Sequence, residues 1–172
     1  MHELVPTATT IAVFVNLNYS PAENQLRDVQ EAAARLGVQV RALRANTETD
    51  FDAVFTDLVR QRVGALLVCA SPFFFSRRQQ LVVLAARHGV PAIYEWREFA
   101  VAGGLMSYGT NIDDAYRQMG VYAGQILKGT KPADLPVVQS AKFEFVINLS
   151  TAKALGIEVP PTLSARADEI IE

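Results

Sequence analysis

The residues best suited to chemistry fall in four short stretches, each following an apolar run: Asn18 and Tyr19; Ser71, Pro72 and Phe73 to Phe75; Tyr94, Glu95, Trp96 and Arg97; and Ser107 to Asn111, including Tyr108. Such a set equips a binding pocket, in which aromatic rings supply buried area and a few fixed polar groups orient a small organic or zwitterionic ligand. Arg97 would fix a carboxylate, or Glu95 an ammonium. The same residues have plainer readings. Glu95 and Arg97 can pair with each other, Trp96 can anchor an inter-domain contact, and Phe73, Phe74 and Phe75 cannot all enter one core because consecutive side chains point in different directions.

Catalytic arrangements do not emerge. Neither a Walker pattern nor Gly-x-Gly-x-x-Gly follows any apolar run, so no nucleotide cofactor is expected. His2 and His88 are far apart and have no Cys or carboxylate at ligand spacing, so no metal is expected either. Cys69 lies inside an apolar run and reads as a small buried hydrophobe. A Ser-His-Asp set fails because His88 falls at the wrong end of its helix. What remains is a binding constellation, and the chain is expected not to be an enzyme.

Those stretches need a scaffold, and the sequence between them supplies one. Thr10–Val15, Val38–Leu43, Gly64–Ala70, Val90–Tyr94 and Gly104–Tyr108 are short apolar runs of the kind that forms buried strands. After Ser20, a helix is expected with Ser20 as cap, Pro21 at the first helical position, Glu23 as capping-box partner, Leu26, Val29, Ala33 and Leu36 at helical spacing, and Gly37 as its stop. Phe51, Val54, Phe55, Leu58 and Val59 form a second stripe, capped by Thr47 or Thr49. A third helix opens at Ser76 and runs to Gly89, and one or two helical turns fit residues 96–102. A long helix starts at Asn111, with Asp113 and Asp114 at its positive end, and carries Tyr116, Met119, Tyr122, Ile126 and Leu127 to Gly129.

Strand and helix alternating in this way predict an α/β fold: a Rossmann-like (flavodoxin-like) three-layer α/β/α sandwich with a mainly parallel sheet and right-handed crossovers. In such a sheet, only the loops outside the carboxyl ends of the strands are free for ligands, so all four stretches should open on one edge. After Gly129 the pattern changes. Lys131–Pro136 reads as a connector, Lys142–Ile147 as an edge strand, Ser150–Gly156 as a short capped helix and Thr162–Ile171 as a last helical stretch. Residues 1–136 are thus expected to form the ligand-binding lobe, and residues 137–172 a strand and helix tail packing on that lobe rather than another βαβ repeat.

With 172 residues, 50% hydrophobic, and a net charge of −2 from scattered basic and acidic residues, the chain suits one domain with a sizeable core and argues against a nucleic-acid surface. No apolar run approaches the roughly 18–20 residues of a membrane span, and Met1–Thr7 has neither a basic start nor an apolar h-region, so no export signal is expected in the chain as given.

Thr10–Asn18, Gly64–Arg78, and above all Pro91–Phe99 followed by Gly103–Gly109 closely resemble the ABC-transporter substrate-binding proteins of the family that includes bacterial tryptophan- and tyrosine-type binding lipoproteins. Ile126–Pro136 and Lys142–Gly156 are similar to that family's ending, so the resemblance spans essentially the whole chain. It implies a type I periplasmic-binding fold, in which two lobes close on a solute, with this chain matching the carboxy-terminal lobe alone. It further implies a missing amino-terminal lobe, an ABC permease as partner and a periplasmic or other extracytoplasmic location for the full-length protein. Ligand contacts are implied from Ser71, Pro72, Phe73, Tyr94, Glu95, Trp96, Ser107 and Tyr108; the reading of the loops adds Asn18 and Arg97. Aromatic surface around Phe73–Phe75 and Trp96, exposed without its partner lobe, makes a homodimer an expectation. A ligand-sensing regulatory domain, or less readily a flavodoxin-like enzyme, is the competing assignment.

Overall fold

A computed structural model describes residue 1, residues 3–138 and residues 142–172; His2 lies outside them. Five apolar runs become parallel strands: β1 (Thr10–Val15), β2 (Gln39–Arg44), β3 (Ala65–Val68), β4 (Ala92–Tyr94) and β5 (Met106–Thr110). Strand β6 (Phe143–Asn148) runs antiparallel beside β5, and β7 (Glu169–Ile171) pairs parallel with β6. The seven-stranded order is β2-β1-β3-β4-β5-β6-β7. The chain leaves β1 in one direction and β3 in the other, so the β1/β3 boundary is the topological switch point, where loops diverge and leave a crevice.

Register decides which side chains share a face. Ala12 pairs with Leu66 and Leu66 with Ala92, while Val13 pairs with Leu67 and Leu67 with Ile93. The first row, continued by Phe14, Val68 and Tyr94, packs against α2 (Thr49–Arg60), α3 (Pro72–Ser76), α4 (Arg78–Arg87) and α5 (Arg97–Val101). Phe51, Phe55, Leu58, Leu81 and Phe99 are its fully buried helical partners, and Phe74 stacks flat on Phe14 with ring centroids 4.9 Å apart. The second row faces α1 (Ala22–Leu36): Val13, Val15 and Cys69 meet Leu26 and Val29. A third cluster of Leu105, Met106 and Ile147 closes the far end with Leu4, Ala152 of α7 (Leu149–Ala154) and Leu163 of α8 (Pro161–Ser164). The result is a three-layer α/β/α sandwich of the Rossmann-like kind, with helices on both faces of a mostly parallel sheet.

Several local expectations are corrected. Ser20 makes no cap: backbone bonds from Tyr19 to Asn16 and from Ala22 to Tyr19 wind residues 16–22 into turns, and α1 begins at Ala22 with Pro21 ahead of it. Neither threonine caps α2; the Asp50 carboxylate reaches back to the amides of Asn46 and Thr47 at 2.8 and 2.9 Å, which holds its pKa below the ordinary aspartate value. The helix after β3 opens four residues early, at Pro72, and breaks at Arg77. Strand β6 is interior, because β7 lies beyond it. The stretch expected as a helix to Ile171 is α8 followed by β7, since the backbone amide and carboxylate of Asp168 engage the Phe145 carbonyl and amide, both at 2.8 Å, and start the ladder. β6, α7, α8 and β7 therefore form one more strand–helix–strand unit. Asn111 does cap α6 (Ile112–Leu127), its side chain accepting from the Asp114 amide at 2.8 Å.

Candidate functional site at the carboxyl edge

The four stretches do reach the carboxyl edge, but the pleat separates them. At the switch point, loops after β1, β2 and β3 enclose a crevice of about 300 Å³ lined by Asn16, Asn18, Tyr19, Asn46, Ser71, Pro72 and Phe73. Asn16 is the keystone. It is buried, donates through Nδ2 to Ser71 Oγ at 3.2 Å and accepts the Asn18 amide through Oδ1 at 3.0 Å, so one side chain fixes the loops after both β1 and β3. Asn46 does the same for the loop after β2, accepting the Leu17 amide at 3.1 Å. Ser71 receives a hydrogen bond from Asn16 and keeps a proton to donate. Phe73 is half-buried with its ring 5.6 Å from Phe51 and gives the crevice an aromatic wall anchored in the core.

Of the expected site residues, Asn18, Ser71, Pro72 and Phe73 meet here. Asn16 and Asn46 were missed, although their signal was present: Asn16 directly follows β1 and Asn46 lies two residues beyond the end of β2, where a short amide side chain commonly bonds local backbone.

The Tyr94–Tyr108 stretch distributes its side chains differently. Tyr94 turns into the core, 2% exposed, stacked on Phe99 at 4.5 Å, with its hydroxyl unpartnered among the described residues; burial alone pushes its pKa upward. Ser107 pairs with Tyr94 in the sheet, shares that inward face, and has a buried Oγ with no partner among the described residues. Trp96 is half-buried, edge-on to Phe75 at 5.2 Å. Arg97 does not pair with Glu95: it bonds Glu169 at 2.6 Å and reaches Glu144 at 3.6 Å, clasping β6 and β7, and the Glu169 hydrogen bond is the main cause of its raised pKa. The three phenylalanines are likewise absorbed, Phe74 wholly and Phe73 and Phe75 by packing on the core. Glu95 and Tyr108 face the opposite, α1 side, where they line a separate groove. Cys69 is there too, its thiol pushed up to about 12, first by burial and then by the charge of Glu95.

An α/β lobe with a polar, uncharged crevice at its switch point has the form of a periplasmic-binding-protein domain. The family description fits that form: residues 1–171 match the model of the ABC transporter substrate binding proteins, and the chain belongs to this family. A curated tyrosine-binding protein of Clostridioides difficile (strain R20291) is 23% identical over 155 residues, which are 90% of this chain and 45% of that protein. A Streptococcus pneumoniae ABC domain solved in complex with L-Trp superposes with a TM-score of 0.89 at 24% identity, covering 99% of this chain and 57% of that one. A conserved domain protein from Vibrio cholerae gives 0.88 at 22%, covering 98% and 57%. The chain thus spans about half the length of the relatives it matches.

Proposed function

We propose that this chain is the carboxy-terminal lobe of a non-catalytic, two-lobed receptor that works outside the cytoplasm, captures a small organic solute such as an amino acid and delivers it to an ABC permease. The observation that carries this is the switch-point crevice: amide and hydroxyl groups of Asn18, Asn46 and Ser71 beside the Phe73 ring, on loops pinned by Asn16. A second lobe closing over it would complete the polar contacts and exclude water. Two further facts support the reading. Relatives twice as long include a tyrosine-binding protein and a domain crystallised with L-Trp. Helix α6 carries apolar residues that this chain leaves uncovered.

The test is thermal-shift and native mass spectrometry of this chain, and of the chain joined to an amino-terminal lobe, against L-tyrosine, L-tryptophan and a panel of other amino acids and organic acids. Stabilisation of the two-lobed form only, weakened about tenfold by Ser71→Ala, is expected from loss of a hydrogen bond to a bound polar group. Equal binding by the single lobe would remove the clamp from the mechanism, and indifference to Ser71→Ala would move the site elsewhere.

A further inference from the structure

The groove on the α1 side of the sheet is larger than the crevice, about 560 Å³, and the two share no lining residue. Its volume lies within the range of small-molecule sites. Its charged lining is one-sided. Glu95 and Gln25 each keep a buried side-chain oxygen with no hydrogen-bond partner among the described residues, Asp28 adds a carboxylate from α1, and no Lys, Arg or His lines the groove. Unmatched buried acceptors are rare because each forfeits a hydrogen bond it would make in water. Here both residues line an open cavity.

Two other features agree. Tyr108 and Phe143 stack with ring centroids 5.8 Å apart and planes 16° from parallel; both are half exposed, and both line the groove. Such ring faces attract cations. Glu95 is also fixed in place: its side chain lies across Gly109, where an added Cβ would come within 2.6 Å of Glu95 Cγ, so only glycine leaves room for it. The nearest basic residue in sequence, Arg97, is held by Glu144 and Glu169 and does not neutralise it.

We propose that this groove binds a small organic cation, a primary ammonium on an apolar or aromatic body, with Glu95 as counter-charge, Gln25 as a second acceptor and the Tyr108–Phe143 pair as platform. Val29, Leu67 and Ile93 supply the apolar wall for the body. A zwitterion fits less well, since its carboxylate would enter beside Glu95 and Asp28 with no Lys, Arg or His lining the groove to balance it. The site is therefore distinct in place and in charge from the amino-acid crevice, and stands whether or not that reading holds.

Isothermal titration of this chain with phenethylammonium chloride tests it, beside 2-phenylethanol and phenylacetate as neutral and anionic isosteres. The cation is expected to bind about tenfold more tightly than either isostere. Glu95→Gln should weaken it by about tenfold and Tyr108→Ala by several-fold, while Ser71→Ala leaves it unchanged. Tyr108 is exposed enough that its replacement preserves the fold, so the proposal stays testable if Glu95→Gln does not fold. Absence of binding, equal binding of the three probes, or wild-type affinity in the folded variants would overturn it.

Discussion

Glu95 occupies its position at a cost to folding. Burial raises its carboxyl above the ordinary glutamate value of 4.5, so the folded chain holds this proton to higher pH than the unfolded chain does. Between those two values the native state binds more protons, and stability falls as pH rises through the window. Glu95→Gln removes the titration while keeping the shape. The variant should melt at a higher temperature than the parent at pH 7, with the gap closing by pH 4, and a gap that stays constant with pH would exclude Glu95 as its source. Loss of cation affinity alongside that gain would mark the carboxylate as kept for binding rather than for the fold. Tyr94 offers the inward-facing counterpart: its hydroxyl is sealed off without a partner among the described residues, so Tyr94→Phe should stabilise by about 1 kcal/mol, read from urea unfolding. These neighbours show where the sequence stopped being legible. Residue type marked 94–97 as a candidate binding stretch, yet β4 ends at Tyr94 with its pleat continuing, which turns Tyr94 into the core and Glu95 to the other side.

At the scale of elements, the best test of how the closing segment is joined to the sheet is Asn148. It is buried, caps α7 by accepting the Thr151 amide at 2.9 Å, and donates to the Ala100 carbonyl of α5 at 3.1 Å. Asn148→Ala should cost about 2–3 kcal/mol, a helix cap plus a buried carbonyl left unpaired, whereas Asn148→Ser keeps a capping oxygen and loses the donation to Ala100. Equal losses in the two variants would show that the cap contributes nothing. The parallel core was readable because buried strands are continuous apolar runs, and Thr10–Val15 matches its expected bounds. Strand β7 was not, since Glu169–Ile171 is three residues, too short for any period, and its identity comes from pairing with Val146, Ile147 and Asn148. The plainer reading of Arg97 as the partner of Glu95 fails for the same reason: a neighbour in sequence suggested itself, while its partners Glu144 and Glu169 arrive on strands placed there only by the fold.

For the molecule as a whole, the element that does not fit a self-sufficient lobe is α6. Its periodicity is that of a helix with a buried stripe, yet none of its sixteen residues is buried, and Tyr116, Met119, Ile126 and Leu127 are 66%, 55%, 41% and 88% exposed. Amphipathic spacing reports that a face is to be covered, and says nothing about whether the cover belongs to the same chain. The surface expected to drive self-association, Phe73–Phe75 with Trp96, is packed into the lobe, so any dimer of this chain should form through α6 instead. Met119→Glu with Leu127→Glu separates the two roles such a helix can have. Because neither side chain is buried, the pair should leave the melting temperature of the lobe nearly unchanged, a surface effect within about 0.5 kcal/mol, while abolishing concentration-dependent association in sedimentation velocity. In a two-lobed protein the same pair should instead destabilise the whole and weaken solute capture, because the charges would then enter an apolar interface. A large loss of stability in the single lobe would mean that α6 is packed on its own sheet, and would remove the main support for a partner lobe.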